Sequence, residues 1–228
     1  MIDQVVKQKK IFTEGEGDSW FDRNSTINME ERISEDLILR ELGRLNFSGA
    51  SCLEIGCADG WRLAEIRSRY NWQCFGIDPS NKAIMKGARQ YDNISLVQGT
   101  ADSLPYDDQS MSVVVIGFCL YLCDRDELFK ISSEIDRVLI DGGLILILDF
   151  YSEIPYRNSY SHLEGIYSYK MDYSKLFLWN PAYQLVSKFV SSHGFETVVK
   201  DKDERIMISS IRKSLLDAYS ETPNYNYE

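Results

Sequence analysis

The sequence predicts an α/β domain built on a doubly wound, seven-stranded sheet, mostly parallel and finished by an antiparallel last strand pair. Three observations lead there. Residues 52–55 are a short apolar run that ends at Gly56, and beyond Gly60 the helical spacing of Leu63, Ile66 and Tyr70 takes over. Strand, glycine turn and helix in that order form a phosphate or nucleoside cradle. A second apolar run from Cys74 ends at Asp78, an acid about 20 residues beyond the glycines and so placed to bind ribose hydroxyls. Residues 111–118 and 144–150 are near-continuous apolar runs, the pattern of parallel strands buried on both faces.

The remaining elements follow in order. Residues 1–28 are polar and mixed, with Trp20 and Phe21 set among charges, and are expected to form an N-terminal arm, either simply pinned by those two aromatics or serving as a lid. Residues 29–46 read as one helix with an apolar face of Ile33, Leu37, Leu39, Leu42 and Leu45. Ser80 caps a helix over 81–91, and residues 94–97 form a short strand ended by Gly99. A helix over 124–139 buries Leu128, Ile131, Ile135 and Val138, and Asp141 with two glycines turns it into the strand at 144–150. Residues 151–180 break the alternation. They hold six tyrosines, His162 and Trp179, and a connection of this length is expected to be an inserted cap or substrate segment. Residues 181–193 read as a helix with proline in its first turn and Gly194 at its end. Residues 195–199 and 205–211 then form the last strand pair, so that 1–228 make a single domain.

The chain has 228 residues and a net charge of −10, which argues against nucleic acid as a partner, because phosphate binding relies on lysine and arginine. No apolar run is long enough to span a bilayer, and the first residues lack a signal-peptide core, so a soluble cytoplasmic protein without a membrane partner is expected. Five cysteines without a CxxC pair, and two histidines far apart, suggest neither a disulfide framework nor a metal centre.

Four stretches, EIGCADG at 54–60, GIDPS at 76–80, GTADSLP at 99–105 and DGGL at 141–144, resemble in order the motifs of the class I S-adenosylmethionine-dependent methyltransferases, Rossmann-like enzymes, and in particular their small-molecule group. The resemblance spans residues 48–150 well and 181–212 loosely. Ala58 departs from it where many members have glycine, and a negative φ is expected there. The resemblance implies S-adenosylmethionine as cofactor. Gly56, Cys57, Gly60 and Gly117 would lie along it, with Glu54 reaching its amino group or ordering nearby water and Asp78 binding its ribose. Pro79 would flank the adenine, and Ala101 and Asp102 would bind the adenine edge.

Methyl transfer from a sulfonium is a one-step displacement, promoted chiefly by placing the acceptor in line, and a hydroxyl acceptor also needs a base. His162 is the expected base and Tyr121 the expected positioning residue. Trp20, Arg23, Tyr167 and Tyr169 are the expected acceptor-binding residues, with Lys170 as a further pocket liner, whereas His193 reads as a helix-end residue without a catalytic part. The expected acceptor is a small molecule, a sugar or nucleotide sugar or a secondary metabolite, taken at oxygen by a monomer or homodimer. The alternatives are a protein or nucleic-acid methyltransferase and a non-catalytic S-adenosylmethionine-binding protein. An Asn-Pro-Ala-Tyr run at 180–183 resembles the box of amino-methylating nucleic-acid enzymes but lies some sixty residues past the fourth strand, where that box belongs.

Overall fold

The computed structural model describes residues 7–25, 28–192 and 199–219. The arm is helical: α1 (Gln8–Ile11), a wide turn over Phe12–Glu16 and α2 (Gly17–Asn24). Helices this short are not stable alone, and these are held by distant acids. Backbone N–H groups of Gln8 and Lys9 at the start of α1 both donate to the Asp124 carboxylate, at 3.0 and 3.0 Å. Asp18 of α2 accepts from the Ser80 hydroxyl at 2.6 Å and the Lys82 amide at 3.0 Å.

The single helix expected over 29–46 is two, α3 (Met29–Glu35) and α4 (Leu37–Leu45). They part at Asp36, whose extended backbone frees its side chain to cap α4 through the Leu39 amide at 2.7 Å. Then come β1 (Ser51–Ile55), α5 (Trp61–Tyr70), β2 (Gln73–Asp78), α6 (Asn81–Gln90), β3 (Ser95–Gln98) and β4 (Met111–Gly117), close to the sequence reading. The next helix, α7 (Leu128–Val138), starts later than expected because residues 125–127 make a tight 3₁₀ turn. The strand β5 (Leu139–Phe150) begins earlier, absorbing the Asp141-Gly-Gly turn as an irregularity in its pairing with β4.

Beyond β5 the chain departs most from expectation. Residues 151–180 hold a small hairpin, β6 (Tyr156–Ser159) with β7 (Tyr167–Lys170), and one helical turn, α8 (Lys175–Leu178). The helix expected over 181–193 is instead a strand, β8 (Tyr183–Ser192), paired antiparallel with β9 (Arg205–Lys213) from Tyr183↔Lys213 to Ser192↔Arg205. Leu185, Val186 and Phe189 fall at helical spacing, yet the ladder to β9 decides their backbone. The pair at the end of the sheet is therefore β8 and β9. The strand expected at 195–199 lies mostly outside the described residues, as does His193.

The seven-stranded sheet runs β3-β2-β1-β4-β5-β9-β8, parallel as far as β5 and antiparallel at β9. Its interior strands β1 and β4 are buried almost throughout, and helices cover both faces through two apolar clusters. Strand order reverses between β1 and β4, so the crevice at their carboxyl ends is where such a sheet takes a ligand. Among the described residues, no helix is long and apolar enough to cross a membrane.

Candidate cofactor and acceptor site

The turn after β1 is tight. Gly60 has φ 76°, and a Cβ there would stand 2.7 Å from the Ile94 side chain, so both the dihedral and the packing require glycine. Ala58 also has positive φ, 49°, against the negative value expected, and so carries a left-handed strain that glycine would not. What holds it is Asp78 at the end of β2. One Asp78 oxygen accepts from the Ala58 amide at 2.9 Å and the other from the Ser80 amide at 2.8 Å. Each oxygen keeps a lone pair for a further donor. Burial pushes the Asp78 carboxyl up to about 6, against the pull of those two amides.

Around Asp78 lies a cavity that brings Gly56, Pro79, Ala101 and Asp102 together on the sheet side. The arm forms its other wall with Lys9, Phe12, Gly17 and Trp20. Asp102 is buried. Its Oδ2 accepts from Lys9 at 2.9 Å and Lys130 at 3.0 Å, while Oδ1 has no partner. Burial alone would raise this carboxyl, but Lys9, Thr100 and Lys130 together hold it well below the usual range. Lys9 also pairs with Glu127, so one arm residue ties two acids at the cavity rim.

A second cavity adjoins the first and shares Trp20, Gly56 and Phe118 with it. Glu54, Cys57, Ala58 and Gly117 contribute strand-end and turn positions, and Phe21, Trp61 and Phe150 add aromatic walls. Phe118 has φ 50°, a strained backbone for a bulky residue at the junction of the two cavities. Glu54 is 1% exposed and paired with Arg62 through Oε1, and its Oε2 has no partner. Burial pushes its carboxyl up to about 7, with Arg62 acting against that rise. From α3, Glu31, Arg32 and Glu35 reach the same chamber, and Arg32 lies over the Trp61 ring at 5.1 Å.

The other expected site residues are spread more widely. Tyr121 is buried beneath the arm, its hydroxyl accepting from the Trp20 indole at 3.2 Å, and burial keeps its phenol protonated. Arg23 donates to Glu16 and to the Tyr160 hydroxyl, tying the arm to the inserted segment, and lines neither cavity. Tyr167 and Tyr169 also line neither; each ring lies under a guanidinium, Arg157 at 4.0 Å and Arg125 at 4.1 Å. The Tyr167 main chain is fastened to Gln8 of the arm. Lys170 is buried against the Phe150 ring and bonds to the Asp203 carbonyl. His162 is exposed, edge-on to Tyr160 and absent from both walls, so the base role expected of it has no geometric support. Sequence reasoning missed Lys9, Phe12, Arg62 and Phe118. It also missed Asp149, buried at the end of β5, which accepts the Tyr121 amide at 3.3 Å and is pushed up to about 7 by burial. An acid closing an otherwise apolar run was its only visible signal.

Residues 53–147 match the family model of the methyltransferase domain. Over 109 residues the chain is 34% identical to a demethylmenaquinone methyltransferase of Shouchella clausii (strain KSM-K16), which is 45% of this chain and 46% of that protein. It is 24% identical over 155 residues to an uncharacterized methyltransferase of Bacillus subtilis (strain 168), 65% of this chain and 52% of that one. The chain thus spans about half the length of the curated relatives it matches. Among solved structures, a 1,6-didemethyltoxoflavin-N1-methyltransferase of Burkholderia thailandensis, with 1,6-didemethyltoxoflavin and S-adenosylhomocysteine bound, superposes with a TM-score of 0.66. That match covers 90% of this chain and 87% of the other at 14% identity, a likeness of fold alone. Residues 53–147 thus match a methyltransferase domain, and the chain as a whole has the fold of the class I S-adenosylmethionine-dependent methyltransferases.

Proposed function

We propose that this chain transfers a methyl group from S-adenosylmethionine to a small molecule, with a sugar, free or nucleotide-bound, or a secondary metabolite as acceptor and oxygen as the receiving atom. The observation that carries the reading is the pair of cavities meeting at Trp20, Gly56 and Phe118. One suits a nucleoside and the other a guest beside it. The residues present fit the cofactor: Asp102 lines one cavity and Glu54 the other, each with a buried oxygen that has no partner, and the glycine turn lets main chain approach closely. Asp78 would hold the ribose hydroxyls, Asp102 Oδ1 the adenine amine and Glu54 Oε2 the ammonium group.

When bound, the cofactor supplies a methyl group already activated on a sulfonium. The protein's share is to orient the acceptor and exclude water. Phe21, Trp61, Phe118 and Phe150 give flat apolar walls against which a ring can lie. The arm covers both cavities through Trp20, whose indole is anchored on Tyr121, and acts as the lid. A hydroxyl acceptor must lose its proton. Glu31 and Glu35 line the chamber, and neither side chain has a hydrogen bond or ion pair among the described residues. They, rather than His162, are the base candidates that the geometry supports.

The test is transfer of label from methyl-labelled S-adenosylmethionine to a panel of sugars, nucleotide sugars, phenols and amines. Labelling of a hydroxyl compound supports the reading in full, and labelling of amines alone corrects the receiving atom. Labelling confined to added protein or RNA would overturn the small-molecule assignment. Tight cofactor binding with no transfer to any acceptor class would favour a non-catalytic binding protein.

A further inference from the structure

Arg62 lies in the first turn of α5, directly behind the glycine turn, and is buried. Its Nη1 donates to Glu54 Oε1, and its Nε and Nη2 donate to Asp36 Oδ2 at 3.0 and 2.8 Å. The Trp61 ring lies 4.8 Å from its guanidinium carbon. Gly117 makes the room: a Cβ there would lie 3.0 Å from Nη1. The other Asp36 oxygen is fixed by the Leu39 amide. The guanidinium is thus immobilised where β1 and β4 part and strand order reverses. A buried ion pair contributes little net stability compared with apolar residues of the same volume. This one has a second consequence: it occupies one oxygen of Glu54, a residue that lines the chamber, and leaves the other buried with no partner.

We propose that Arg62 is a positioning residue for the cofactor: by holding Oε1 of Glu54 it presents Oε2 to the ammonium group of the methionine moiety. The inference rests on the cofactor reading above. The charges around Glu54 agree with it. Burial raises its carboxyl, Asp36 and Asp78 add to the rise, and Arg62 is the group that lowers it. The thiols of Cys52, Cys57 and Cys74 nearby are held neutral, all three pushed up first by burial. Without Arg62, the Glu54 carboxyl would rise further and offer the ammonium less counter-charge.

Two ligands separate this role from a structural one. S-adenosylhomocysteine carries the amino-acid end, and 5′-methylthioadenosine has the same nucleoside and sulfur without it. By calorimetry, Arg62→Met should weaken S-adenosylhomocysteine about ten- to hundredfold, the scale of a charge-assisted bond, while 5′-methylthioadenosine stays within about twofold. Arg62→Lys should fall between wild type and Arg62→Met. In wild type, the preference for S-adenosylhomocysteine should shrink as pH falls through about 7, where Glu54 takes up its proton. Titration of Asp78 weakens both ligands alike and cancels in the ratio. In Arg62→Met the same decline should start at higher pH. Equal losses of both ligands, no loss of either, or a wild-type ratio flat with pH would overturn the proposal, and the ratio decides it even if Arg62→Met does not fold. Wild-type protein that binds neither ligand would overturn the cofactor reading itself.

Discussion

The two cavities share a wall and are built by different means. In the cavity proposed for the nucleoside the key acid, Asp78, is held by main-chain amides of the turns on either side of it. In the adjoining chamber the key acid, Glu54, is held by another side chain, and the walls are large side chains brought from α2, α3, α5 and the ends of β4 and β5. The first is fixed by the local path of the sheet. The arm walls both cavities, but only the second also needs α3. The nucleoside end should therefore depend most on one carboxylate, and the chamber on the aromatic walls and on how α3 is docked.

The largest expected effect is at the nucleoside end. Asp78→Ala should weaken S-adenosylmethionine by about a hundredfold or more, as loss of charged hydrogen bonds to two hydroxyls implies, with the fold kept by circular dichroism. Binding within about threefold of wild type would break the contrast. Next, Trp20→Ala should lower kcat/KM for the acceptor by about tenfold or more while changing cofactor affinity less, because hot aromatic walls carry much of a small guest's binding. Equal losses of both would place Trp20 with the nucleoside.

A smaller effect comes from pH. A carboxyl raised by burial and paired with a ligand in its ionised form costs affinity when protonated. Binding of 5′-methylthioadenosine should accordingly be full above about pH 6 and weaken below it, as Asp78 titrates. Lys9→Ala should weaken cofactor binding only about threefold, since Lys130 still neutralises Asp102. The smallest effect sharpens the geometry of the turn: Ala58→Gly should stabilise the protein by about 1 kcal/mol in thermal unfolding by relieving a positive φ. His162→Ala, which touches neither cavity, should leave turnover within about twofold.

The same contrast governs what the chain disclosed in advance. Strand, glycine turn, helix and a strand-terminal acid are local patterns, so the β1 turn, Asp78 and the sheet through β5 could be read directly. The arm could not be read in detail, because helices of 4 and 8 residues show little periodicity and the Asp124 cap lies far along the chain. The strand at 183–192 was misread because a register shift between Leu185 and Ser187 blurs its alternation. Arg62 looked like any polar residue in the first turn of a helix. Only the fold sets it between Asp36 and Glu54.

The most direct measurement is a crystal structure with S-adenosylhomocysteine. The expected result has ribose hydroxyls on Asp78, the adenine amine on Asp102 Oδ1, the ammonium on Glu54 Oε2, and the sulfur at the junction by Trp20, turned toward the aromatic chamber. A ligand seated elsewhere, or one whose sulfur points away from that chamber, would contradict the account.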